Sequence, residues 1–177
     1  MTQVAPGRPA LDEDTLRMAR QVFQWVRAGD LEELQPLLDM GLPPNLRNEN
    51  GDSLLMLAAY HGHAPLVHAL LRAGADPALA NDRGQVPLAA AAFKGDLEVL
   101  RALLDGGAAV DGHGPDGRTA LFTAAMFNRL DVLRLLLDRG ADPGHRDWAG
   151  LSAREAAQKM GAEEAAELLR SLSLPRG

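Results

Sequence analysis

Glycine returns along this chain at a fixed step. Gly51, Gly84, Gly117 and Gly150 stand 33 residues apart. Two further series keep that interval. One is Gly41, Gly74, Gly107 and Gly140; the other is Gly29, Gly62, Gly95 and Gly161, with Asn128 in the fourth place. Three phased series mean that the chain is an array of like units. Each unit is too small to bury an apolar face alone, so it stacks on its neighbours. An array of this kind offers a long surface rather than a central pocket. The functional question becomes which partner it meets, and on which face.

The unit opened by Gly84, GQVPLAAAAFKGDLEVLRALLDGGAAV, shows how the step is built. The run Pro87–Lys94 reads as a first helix. Proline suits the first helical turn, where its missing N–H is no loss. Ala89 to Ala92 are strong helix formers that permit close packing. Gly95 stops that helix and Asp96 caps the next. Leu97, Leu100, Leu103 and Leu104 then recur at helical spacing and mark a buried stripe. Gly107 ends the second helix in a left-handed conformation that costs glycine little. Polar, turn-rich residues lead to the next unit.

The other units read GDSLLMLAAYHGHAPLVHALLRAGADP, GRTALFTAAMFNRLDVLRLLLDRGADP and the shorter GLSAREAAQKMGAEEAAELLRSL. Together they resemble the ankyrin repeat, whose signature runs G-x-T-P-L-H-x-A-A, then G-H, then L-L-x-x-G-A-D. The resemblance covers about residues 16–170. It implies an all-α solenoid of stacked helix-turn-helix units, with short β-hairpin-like fingers projecting from the stack. Ser53, Thr119 and Ser152 occupy the family's Thr position, where a hydroxyl caps a helix start. Val86 cannot do so, and its turn is expected to be held by packing alone. The family's His is replaced by Met56, Ala89, Phe122 and Glu155. Its Asn after Gly-Ala-Asp-x survives only as Asn45, with Ala78, Asp111 and Gly144 at the later places. The missing His puts in doubt the hydrogen bonds it supplies between neighbouring fingers, and such degeneracy marks a natural rather than a consensus-designed array.

The expected organisation is a mobile arm over residues 1–14, a repeat domain over 15–170 and a frayed tail over 171–177. Five units fall at about 15–47, 48–80, 81–113, 114–146 and 147–170. The first and last are caps with a polar outer face. The first cap carries a helix over 15–29 with Met18, Val22, Phe23, Trp25 and Val26, and a partner over 30–39. No apolar run approaches the ~20 residues of a membrane helix. The start shows no signal peptide, and the absence of cysteine fits a reducing compartment. A cytoplasmic, monomeric protein is expected. Its richness in Ala, Gly, Arg and Pro hints at a bacterial source. A net charge of −6 argues against nonspecific nucleic-acid binding.

Chemistry finds little support. His61, His63 and His68 read as a turn and helix of the repeat rather than a zinc site, since no Cys or close carboxylate completes a ligand set. His113 and His145, with Asp111 and Asp147 near, are the alternative for a weak metal site in the fingers. Gly112, Gly114 and Gly117 match a nucleotide-binding glycine pattern by letter but follow no apolar strand, so they read as a turn cluster. No catalytic residue, metal or cofactor is expected.

The resemblance implies a concave surface formed by finger tips and the exposed ends of the first helices. Tyr60, His61, Phe93, Lys94, Met126, Phe127 and Lys159 fall just after the Ala-Ala pair; Arg83, Arg118 and Trp148 flank the phasing glycines. Aromatics are only 4% of the chain. Four of them map to this face, whereas Phe23, Trp25 and Phe122 are expected to be buried. Aromatics and arginine supply most interface hot spots. The expected function is non-enzymatic binding of a protein or peptide, acidic or aromatic-bearing, on that face. The alternative is a regulatory subunit or inhibitor of a partner enzyme.

Overall fold

In the computed structural model, which describes residues 12–172, ten helices follow one another in chain order. They are α1 (Glu13–Ala28), α2 (Leu31–Asp39), α3 (Leu54–Tyr60), α4 (Ala64–Arg72), α5 (Pro87–Lys94), α6 (Leu97–Asp105), α7 (Ala120–Met126), α8 (Leu130–Asp138), α9 (Ala153–Lys159) and α10 (Glu163–Leu172). Residues 1–11 of the expected arm and 173–177 of the expected tail lie outside the described residues. Helix α1 begins two residues ahead of the expected start because the Asp12 carboxylate accepts the Thr15 N–H at 2.7 Å. Helix α10 likewise runs on through Ser171 to Leu172.

Most helix starts have a local cause. Asp30 and Asp96 accept from Glu33 N and Val99 N. Ser53, Thr119 and Ser152 accept from Met56 N, Phe122 N and Glu155 N at 3.0, 3.2 and 3.2 Å. At α9 the Glu155 carboxylate returns the bond to Ser152 N, completing a capping box. That N–H, and then the Arg146 guanidinium, hold the Glu155 carboxyl below its usual range. Val86 makes no side-chain cap, as expected; it is buried, and Pro87 follows it at the first helical position.

The odd-numbered helices form an inner row and the even-numbered an outer row. Helix α3 packs on α5, α5 on α7 and α7 on α9, while α4 packs on α6. One continuous core runs through both rows, from Val22 and Val26 in α1 to Leu169 in α10. Leu103 and Leu136 are fully buried in it. Phe23 and Phe122 are buried as expected, and Trp25 is partly buried against the core. Met18 departs from expectation. It faces solvent at 51% exposure although it stands one turn ahead of Val22, because burial along α1 begins only at Val22 and the first turns, Leu16 included, are left uncovered.

Between helix pairs the chain projects four fingers, over residues 42–53, 75–86, 108–119 and 141–152. No strand forms among the described residues; fingers 1 and 4 carry the isolated bridges Arg47–Ser53 and Arg146–Ser152.

Candidate partner-binding face

The finger tips are shaped by one acceptor each. Asn48 Oδ1 accepts Asn50 N and Asp52 N, both at 2.9 Å. Asn81 Oδ1 accepts Arg83 N and Gln85 N. Asp147 Oδ1 accepts Ala149 N and Leu151 N. Side-chain carbonyls of this kind fold the backbone over themselves without needing a sheet. The third finger has Gly114 at that place, and Asp116 Oδ1 accepts Arg118 N instead. The sequence carried this signal as Asn or Asp three residues ahead of the phasing glycine.

Bonds between fingers join them in pairs. From finger 1 to finger 2, Asn45 Oδ1 accepts Asp76 N at 2.8 Å, Arg47 donates to the Ala80 carbonyl, and Asn81 Nδ2 donates to Asp52. Asp82 N donates to the Asn50 carbonyl at 3.1 Å. Fingers 3 and 4 repeat the scheme. Asp111 accepts Asp142 N, Arg118 meets Asp147, and Trp148 N donates to the Asp116 carbonyl. Asp111 therefore does what Asn45 does, because a carboxylate oxygen accepts as an amide oxygen does. Ala78, at the same place in the second finger, has no acceptor to offer.

No hydrogen bond crosses from finger 2 to finger 3 among the described residues. Pro115 occupies the place of Asp82 and Trp148 and has no N–H to give. Gly114 instead lies flush against the Gly84 carbonyl, where a Cβ would overlap the oxygen. The glycine cluster is thus a turn with one close backbone approach.

The helix turns are tied by another device. His63 and Arg129 stand at helix-cap positions but do not cap their own helices. His63 Nε2 lies 2.8 Å from the Arg27 carbonyl, and Arg129 Nε donates to the Phe93 carbonyl at 3.1 Å. Each engages the carbonyl end of the inner helix of the unit before, α1 and α5 respectively, where oxygens lack helical partners. Asn128 takes up the left-handed backbone of its glycine series, with φ 55°. Its Oδ1 accepts Ala165 N at 3.0 Å, supplying α10 with a cap from the unit before.

Of the expected site residues, Tyr60, His61, Lys94 and Arg83 come together at one end of the array. A concavity there lies between α3 and fingers 1 and 2, lined by Arg27, Asp52, Met56, Tyr60, His61 and Arg83 among others. Lys94 Nζ sits 4.8 Å from the Tyr60 ring centre, a cation–π contact. His61 packs edge-on to Tyr60 and lies parallel to His63. Partial burial, then His63, Arg27 and Lys94, hold the His61 pKa below its ordinary 6.5.

Phe93 and Phe127 meet edge to face at 4.8 Å; Phe93 is half-buried and Phe127 exposed. Trp148 stands out at 82% exposure on finger 4. Arg118 is committed within the protein, to the buried Asp147 at 3.5 Å and against the Phe122 ring. Met126 is half-buried against the core. Lys159 is exposed at the end of α9 and makes no ion pair among the described residues.

His113 and His145 lie 5.2 Å apart, yet each ring has a nitrogen on a backbone carbonyl, of Gly114 and Gly117 respectively. The described residues contain no group of three or more His, Asp or Glu placed to hold a metal ion. No described helix is long and apolar enough to cross a membrane.

Comparison with known proteins agrees with this geometry. The family of ankyrin repeats (3 copies) matches residues 22–111 and 55–147. A curated protein of Pseudomonas aeruginosa, named as an ankyrin repeat protein, is 57% identical over 60 residues. That match covers 34% of this chain and about a third (35%) of the relative's length.

Proposed function

We propose that this chain, which belongs to the ankyrin repeat family, binds a protein or peptide through the face made by its finger tips and inner-helix ends. Ankyrin repeats generally mediate protein–protein interactions and are typically non-enzymatic. The fold does not select a pathway, so the reading rests on the surface. One observation carries it. The chain has seven aromatic residues, and three of them, Tyr60, Phe127 and Trp148, are exposed at 41%, 42% and 82%. All three stand at inner-helix ends or finger tips. Exposed rings are costly to leave in water, and they are the residues that anchor interfaces.

The test is affinity capture from the native cell extract with wild type and the triple variant Tyr60→Ala/Phe127→Ala/Trp148→Ala, checked for folding by circular dichroism. A protein held only by wild type supports the reading. Equal capture by both proteins moves the site to the outer helices.

A further inference from the structure

We infer that the concavity between α3 and fingers 1 and 2 seats an acidic segment of the partner protein, with an Asp or Glu side chain held between Arg27 and Arg83. This rests on the finger-and-inner-helix face being the docking surface.

Charge complementarity selects the occupant. Six arginines, Arg17, Arg118, Arg134, Arg139, Arg146 and Arg170, have carboxylate partners within the chain. Arg27 and Arg83 have none among the described residues, although the chain carries a net charge of −6. Both line the same concavity, and both are exposed. Lys94 adds a third cation at the rim, fixed over Tyr60. The carboxylate in the wall, Asp52, is engaged at both oxygens, by Asn81 Nδ2 at 2.8 Å and Asn48 Nδ2 at 3.4 Å.

The floor is apolar. Met56 and Leu57 are buried beneath the concavity, and Tyr60 forms its wall. Guanidinium groups at the sides and apolar atoms below suit a carboxylate beside an aliphatic or aromatic residue. Guanidinium binds carboxylate through paired N–H donors, which adds geometric selection to charge. A basic segment is excluded by the same cations.

The experiment is selection of random dodecapeptides displayed on phage against the full-length protein, followed by anisotropy titration of the best labelled peptide. Enrichment of Asp and Glu over Lys and Arg is expected. Exchanging the acidic residues for Gln or Asn weakens binding by about tenfold or more, and Arg27→Ala and Arg83→Ala each weaken it by about fivefold. Selected peptides without an acidic bias, or a Gln-substituted peptide that binds equally, overturn the inference. If Tyr60→Ala still abolishes that binding, the docking face stands and only its acidic subsite falls. A single-stranded oligonucleotide of equal charge that binds as well as the peptide also overturns it. Failure to select any peptide on the folded protein counts against both readings.

Discussion

Along the inner row, α3, α5, α7 and α9 each pack on the next without interruption, whereas the fingers beside them join as 1 with 2 and 3 with 4. Both layers arise from the same repeat, so the contrast lies in what each kind of contact demands. Apolar packing asks only for volume and period; Leu100, Leu133 and Ala166 all satisfy it. A hydrogen bond asks for a donor opposite an acceptor. One residue without either is enough to remove it, as Ala78 and Pro115 show. The helical layer is therefore continuous under sequence drift, and the finger layer is not.

The largest expected effects break the helical layer. Leu103→Ala and Leu136→Ala each leave a cavity in the core and should cost about 2–5 kcal/mol in urea unfolding. A loss under about 1 kcal/mol at both would mean that the stack is not the stabilising element. Gly114→Ala comes next. Its new methyl meets the Gly84 carbonyl, so fingers 2 and 3 must part, at about 1–3 kcal/mol. Unchanged stability would show that this contact carries no constraint.

Asp111→Ala sharpens the contrast from the polar side. It removes the acceptor for Asp142 N and should cost about 1 kcal/mol, close to the effect of Asn45→Ala. A large difference between the two would break the equivalence of the finger pairs. Trp148→Ala should be smallest. Its indole is solvent-exposed, and the backbone N–H bond to Asp116 survives the change. Thermal and urea midpoints should shift by no more than about 0.5 kcal/mol equivalent.

The helical layer was legible because period and punctuation declare it. Pro87, the alanine run and Gly95 fixed the limits of α5, and Asp96, Ser53, Thr119 and Ser152 declared their caps. The exposure of Met18 was the exception, since an apolar stripe does not state how far toward its N-terminal end the first helix is covered. The finger layer was less legible. Its bonds connect residues about one repeat apart, so a local reading of Asp111 recorded a departure where the acceptor chemistry was conserved. The role of Asn128 was hidden likewise, because the helix it caps belongs to the following unit. At the candidate face, the exposure of Tyr60 and Trp148 was readable from phase, whereas phase alone did not decide between core and surface for Phe93 and Phe127. The commitment of Arg118 to Asp147 was not, since it depends on which finger stands alongside.

The ties between fingers, and the backward reach of His63 and Arg129, recur at every second unit. The vocabulary of this array is accordingly two repeats long, although its helices repeat at one. Recombination that inserted a single unit would set a finger without an acceptor against one that needs it. Insertion of two would return every donor to its acceptor. Gain or loss of repeats by pairs would then keep the finger layer in register, and a single step would not.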